Sequence, residues 1–362
     1  MFDEKILKSG EVAVWRLRSL YKQYGYLPFK MSKFEEYDLY VRNKDFLQGN
    51  GVITFSDTGG ELLALKPDVT LSIIKNTTDS VGSVSKVYYA ENVYRISGAT
   101  SRFKEIMQTG IECIGDVDEY SLYEVVYLAA KSLSTISESF VLDVSHMGVI
   151  SALLDELGAE GEVSARLLKL IGEKSSHEIE SLLSSIGADP CVTERIVALT
   201  RLYGSSRTVL PRLRELCVSD AAIAAYDELE GLMKLLEGCG FGDRIRIDFS
   251  VINNMSYYNG ILFKGFIDKI PEGVLAGGSY GALLKSMGRS SGAVGFAIYL
   301  DMLEGLSGSS ASYDVDTLLI YPKGMRAEQI IPVIERLNKE GKSVSAQSEI
   351  PEKLRYRELI KL

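Results

Sequence analysis

Apolar side chains recur at spacings of three and four between residues 11 and 24, at Val14, Leu17, Tyr21 and Tyr24, and this predicts an amphipathic helix. Gly25 follows where a left-handed residue closes such a helix. Residues 53–55 and 62–65 form two short apolar runs around the turn-rich spacer Ser56-Asp-Thr-Gly-Gly60, a hairpin signal, and Pro67 suits the first turn of a following helix. Valine and tyrosine dominate 86–94, and 106–114 reads as a second strand, with the polar segment 97–102 between them. Strand, loop, strand implies an antiparallel sheet. Helical spacing returns over 118–135, and a strand pattern over 139–144.

From about 150 to 240 the β-rich runs vanish, and Leu, Glu, Ser and Ala predict helix after helix, broken at Gly158, 187–190, 203–206 and 217–220. Strands resume at 245–249, 260–266 and 274–275, followed by Gly277-Gly278 and an apolar helix over 292–303. The Gly/Ser-rich stretch 306–312 has the composition of a flexible linker. Beyond it come a strand at 316–321, a helix at 327–339, a strand at 343–346 and a closing basic helix, whose run from Lys353 to Lys361 reads as a solvated face. The predicted fold class is α+β. It comprises a core of residues 1–149 and 240–305, a helical insertion at 150–239, the linker, and a short α/β unit at 313–362.

The length of 362 residues favours two domains with a small third, at roughly 100–200 residues each. With 46% apolar and 25% charged residues, the chain has the composition of an ordinary globular protein. Forty Lys and Arg against 49 Asp and Glu give a net charge of −9, which weighs against a chain built to grip nucleic acid. Cys113, Cys191, Cys217 and Cys239 form no C-x-x-C pair, and His146 and His177 are the only histidines, so no metal site is expected. The thiols read as buried groups in a reducing compartment, and His146 as a satisfied buried imidazole on a strand. The first residues carry no apolar leader pattern and charges interrupt every long apolar stretch, so the expectation is a cytoplasmic protein without a membrane span.

No P-loop, dinucleotide fingerprint, nucleophile elbow or zinc-protease motif occurs. Four ordered segments stand out instead. They are Leu63-Ala-Leu-Lys-Pro-Asp-Val-Thr70; Tyr94-Arg-Ile-Ser97 with Ser101-Arg-Phe-Lys-Glu-Ile-Met-Gln-Thr-Gly-Ile-Glu112; Tyr257-Tyr-Asn-Gly260; and Ala276-Gly-Gly-Ser-Tyr280 with Gly292-Ala-Val-Gly-Phe-Ala-Ile-Tyr-Leu300. Strand alternation puts Gln108, Gly110 and Glu112 on one face. On residue type alone that face is more often an exposed one, and Tyr257 and Tyr258 are more often core or edge aromatics.

Over about residues 11–304 these segments resemble the histidyl-tRNA synthetase family, including its catalytically silent branch, the regulatory subunits of ATP phosphoribosyltransferase. The resemblance implies a class II synthetase-like antiparallel sheet flanked by helices. It assigns a substrate ammonium to Asp68, Thr70 and Gln108, places Glu112 deeper near an imidazole, and makes Tyr257 and Tyr258 walls of the ring pocket. Asp68 is one methylene shorter than the family's glutamate. Arg95, and with it Arg102, remains as a residual phosphate or carboxylate contact.

The departures from the family pattern fall on the nucleotide side. Ser97 replaces a motif glutamate, and Asn253, Ser279 and Met302 stand where the synthetases carry arginines, while Tyr299 fills a glycine position and narrows the floor for adenine. Adenylate formation relies on positioned positive charge, and each lost donor costs about 3–4 kcal/mol in the barrier. The C-terminal unit resembles the first half of the anticodon-binding domain. The implied protein has no catalytic residue, cofactor or metal of its own. It is a homodimer joined through 24–37, binds L-histidine or a similar small molecule, does not charge tRNA, and regulates a short-form ATP phosphoribosyltransferase catalytic subunit by linkage. The open alternatives are a divergent histidyl-tRNA ligase and a relative whose small-molecule pocket has drifted.

Overall fold

The computed structural model describes residues 7, 9–44, 47, 51–78, 82–96, 102–253, 258–306 and 313–362, in two compact units, Met1–Glu304 and Gly305–Leu362. In chain order the first unit contains α1 (Ser9–Gln23), β1 (Leu27–Pro28), β2 (Phe34–Glu36), α2 (Tyr37–Arg42), β3 (Thr54–Ser56), β4 (Leu62–Leu65), α3 (Thr70–Asn76), β5 (Val84–Ile96), β6 (Phe103–Gly115), α4 (Glu119–Ile136) and β7 (Phe140–His146). Helices α5 (Met147–Leu157), α6 (Gly161–Gly172), α7 (Ser176–Ser185) and α8 (Pro190–Thr200) lead to β8 (Tyr203–Gly204), then α9 (Ser206–Leu216) and α10 (Asp220–Glu237). β9 (Ile245–Asp248), β10 (Ile261–Ile267), β11 (Leu275–Ser279), α11 (Gly281–Ser286), β12 (Gly292–Tyr299) and a 3-10 helix at Leu300–Leu306 complete it.

Nine strands form one sheet in the order β1-β5-β6-β12-β11-β10-β7-β9-β8. Its centre is antiparallel, and the pairs β1–β5 and β7–β9 are parallel. The long ladder of β5 and β6 supplies the platform for the site, and α4 packs across the back of β6, β12, β11, β10 and β7 with Leu128, Ala129 and Leu133 fully buried. A smaller antiparallel sheet, β2-β4-β3, includes the expected hairpin. Gly25 closes α1 at φ 81°, the left-handed region where glycine carries no Cβ penalty.

The second unit is a three-stranded parallel sheet in the order β14-β13-β15, made of β13 (Val315–Ile320), α12 (Ala327–Lys339), β14 (Val344–Gln347) and β15 (Tyr356–Lys361). Leu318, Leu319, Ile330 and Leu337 form its small core.

Several expectations are corrected. Residues 292–299 form a central strand followed by a 3-10 turn, where an apolar helix was expected. Both faces of that strand are covered, so it lacks the alternation that marks a half-exposed strand. The closing segment is also a strand, with exposure alternating along it, and its inward Glu358 is paired with Thr317 and Lys342. Pro67 does not open a helix: α3 starts at Thr70, and the Pro67 carbonyl is taken by Arg95 Nε at 2.7 Å. The insertion is not purely helical, because Tyr203–Gly204 adds an edge strand to the main sheet. Of the linker, 307–312 lie outside the described residues. Cys113 and Cys217 are buried as expected, but Cys191 is exposed and Cys239 half-buried. His146 is buried with both ring nitrogens engaged. Nδ1 accepts from Gly148 N–H at 3.0 Å, which leaves Nε2–H to donate to Glu228 at 3.1 Å. Among the described residues no helix is long and apolar enough to cross a membrane.

Candidate functional site

The pairing register gathers the site. β12 lies against β6 with Tyr299 opposite Gln108, Ala297 opposite Gly110 and Gly295 opposite Glu112. On the other side β5 sets Glu91 opposite Gln108 and Tyr89 opposite Gly110. Alternation then points all these positions to one face. Above that face comes the start of α3, where Asp68 Oδ1 accepts Leu71 N–H at 3.0 Å and Thr70 begins the helix. Asp68 thus caps the helix and still presents its other oxygen to the chamber.

Glu112 is 2% exposed and held at both oxygens. Thr70 Oγ1 donates to Oε1 at 2.9 Å, and the Tyr280 hydroxyl donates to Oε2. Burial pushes its carboxyl up to about 8; the Tyr280 and Thr70 hydrogen bonds oppose that shift, and the charge of Asp68 adds to it. Arg95 lies with one guanidinium nitrogen 3.5 Å from Asp68 Oδ2, and its charge opposes the rise that burial imposes on the Tyr299 phenol. Burial raises the phenols of Tyr89 and Tyr258 well above their ordinary value, so they remain protonated. Gln108 is equally buried, and its Nε2 has no hydrogen-bond partner among the described residues. A buried amide left unpaired costs free energy and marks a place for a ligand atom.

Asp68, Thr70, Tyr89, Arg95, Gln108, Glu112, Tyr258, Tyr280 and Tyr299 line one chamber with about 40 Å³ of free volume, room for roughly three waters. It offers the Asp68 carboxylate and the Glu112 carboxyl group, which burial keeps protonated near neutral pH, to a cationic or hydrogen-bonding group, and one guanidinium to an anion. Tyr299 also borders a larger cleft of about 520 Å³, lined by Asn253, Lys264, Glu272 and Met302 among others. Among the described residues no group of three His, Cys, Asp or Glu side chains could hold a metal ion.

The structure therefore brings together Asp68, Thr70, Arg95, Gln108, Glu112 and Tyr258. Tyr257 and Ser97 lie outside the described residues. Arg102 is exposed and does not line the chamber, and Asn253 and Met302 line the neighbouring cleft. Ser279 is separated from the others. It pairs with Val294, one residue out of phase with Gly278 and Gly295, and lines a cleft with Asp227 and Glu228 on the helix-covered side. Tyr89, Tyr280 and Gly295 belong to the chamber and were not singled out by residue type. The register of β5 and β12 against β6, and of β11 against β12, is the signal that finds them.

The sequence model of the histidyl-tRNA synthetase family matches residues 5–303. An ATP phosphoribosyltransferase regulatory subunit from Oceanobacillus iheyensis is 27% identical over 352 residues, 96% of this chain and 86% of that protein. Two solved structures, each 23% identical, share the fold. One is an ATP phosphoribosyltransferase regulatory subunit/histidyl-tRNA synthetase from Bacillus halodurans (TM-score 0.78, 98% of this chain and 93% of that one). The other is a chain of the ATP phosphoribosyl transferase complex from Thermotoga maritima (TM-score 0.63, 80% and 96%). With the family model spanning most of its length, the chain belongs to the histidyl-tRNA synthetase family.

Proposed function

We propose that this chain is a non-catalytic regulatory subunit of ATP phosphoribosyltransferase in histidine biosynthesis, a cytoplasmic homodimer that binds L-histidine in the chamber and biases a short-form catalytic subunit. One observation carries this reading. The groups suited to an α-amino acid with a hydrogen-bonding side chain, Asp68, Thr70, Arg95, Gln108 and Glu112, converge on one chamber, whereas the cleft beyond Tyr299 has the uncharged Asn253 and Met302 and, of charged lining residues, Lys264 balanced by Glu272, too little positive charge for a nucleotide's phosphates. The names of the relatives and of the structural neighbour from Thermotoga maritima agree with it.

In this reading the ligand, larger than the 40 Å³ that stands free, enters as the lining side chains move apart; its ammonium meets Asp68 and Thr70, its carboxylate meets Arg95, and its imidazole meets Glu112. A ligand without the imidazole would leave Glu112 and its donors unmatched, and such mismatches discriminate strongly. Regulation is linkage: histidine binds two states of the assembly with different affinity and shifts their balance by about 1–3 kcal/mol.

The test is co-purification with a short-form catalytic subunit, followed by its phosphoribosyl-transfer assay with and without histidine. Stable association and a histidine-dependent rate are expected; a partner that neither binds nor changes rate overturns the reading. The chain alone should show no histidine-dependent ATP/pyrophosphate exchange.

A further inference from the structure

Tyr299 occupies a position that the amino-acid reading leaves unexplained. It ends β12 directly opposite Gln108, borders both the 40 Å³ chamber and the 520 Å³ cleft, and shares the chamber wall with Arg95. Arg95 is fixed from two directions, by the Pro67 carbonyl at Nε and by Asp68. The guanidinium, the unpaired Gln108 amide and the phenol therefore meet at the end of the chamber that faces the cleft. All three can donate to a carboxylate, the phenol through its O–H.

We propose that Tyr299 is the specificity-determining residue of the chamber, a partition that admits a free amino-acid carboxylate and excludes any derivative extended through that carboxyl group. This rests on the amino-acid reading above. A free carboxylate ends at the three donors. An amide or ester substituent must continue beyond them, through the space the ring fills, and it also removes the charge that Arg95 recognises. The cleft behind the ring has ample volume for such a substituent, so the ring is the obstacle. Tyr299 acts by shape and by its hydroxyl donor; it performs no chemistry.

The experiment is calorimetric titration of the full-length protein with L-histidine and with L-histidine benzylamide, for wild type, Tyr299→Phe, Tyr299→Ala and Tyr299→Leu. Wild type should prefer histidine by about 100-fold or more. Tyr299→Ala should cut that preference at least about tenfold, with benzylamide affinity rising in absolute terms, because a ring-sized obstacle has gone. Tyr299→Phe keeps the ring and should keep the exclusion, while histidine binds more weakly for want of the hydroxyl. A general structural role would weaken both ligands alike. If Tyr299→Ala fails to fold, Tyr299→Leu supplies the comparison. A preference below tenfold in wild type, or one unchanged when the ring is removed, overturns the partition while leaving the amino-acid reading intact. Folded wild-type protein that binds neither ligand overturns the amino-acid reading and the partition with it.

Discussion

A Cβ on residue 295 would stand 1.8 Å from Glu112 Oε2, so Gly295 and Glu112 are matched across the β12–β6 pair. The carboxylate cannot swing aside, because Thr70 and Tyr280 hold it. The next contact of that Cβ, the Ile111 carbonyl oxygen at 2.6 Å, belongs to the backbone. Gly295→Ala should therefore displace Glu112, destabilise the fold by about 1–3 kcal/mol and weaken histidine binding at least about tenfold. Urea unfolding and calorimetry check the two effects.

Glu112 also sets a pH dependence. Burial lifts its folded-state pKa to about 8, above the ordinary carboxyl value of an unfolded chain. Between those values the folded chain keeps a proton that the unfolded chain has released, so stability falls as pH rises through the window and levels off above it, with a limiting slope of about 1.4 kcal/mol per pH unit. Glu112→Gln removes this contribution. Asp143, pushed up to about 6 mainly by burial with Asp248 adding to it, titrates in the lower part of the window in both proteins. From about pH 6 to 8 the wild-type urea midpoint should decline more steeply than that of Glu112→Gln.

The parts of the fold legible in the sequence are those with one-sided burial or with strand-forming runs set between polar breaks. The helix α1 buries Leu17, Leu20 and Tyr21 and exposes Arg18 and Ser19 between them, and the sequences of β5 and β6 are separated by the polar run 97–102. β12 hides because it is covered on both faces, and a short apolar run does not reveal its period. β15 hides for the opposite reason: one inward position carries Glu358, whose partners Thr317 and Lys342 are remote in sequence. The site divides in the same way. Gln108 and Glu112 share a strand face that spacing alone predicts, and the family motif singles out Asp68 and Thr70. Tyr280 meets Glu112 across 168 residues and Ser279 faces away from the chamber, relationships that only the strand register decides.

Asp68 has two separable tasks, capping α3 through Oδ1 and facing Arg95 through Oδ2. Asp68→Asn can retain the cap while removing the charge, so its stability should stay within about 1 kcal/mol of wild type as histidine affinity falls. Asp68→Ala loses both and should cost about 1–2 kcal/mol in addition. Thermal unfolding beside calorimetry separates the pair. Equal stability losses in the two variants would show that the cap does not matter.

Lys66 has a fully buried side chain, and its ammonium lies 3.0 Å from Glu91, whose side chain is 18% exposed. Lys66→Met strands the carboxylate, but Glu91 keeps some access to water, so the cost should be about 2–3 kcal/mol, below that of breaking a fully buried pair. The released Glu91 lies directly across β5–β6 from Gln108, whose Nε2 is unpaired. It should capture that amide and draw it from the ligand, lowering histidine affinity several-fold. In Lys66→Met/Glu91→Gln the stranded charge is gone, and both stability and affinity should recover. A double-mutant cycle on urea midpoints and dissociation constants measures the coupling, and simple additivity in both would rule out this link between the ion pair and the chamber.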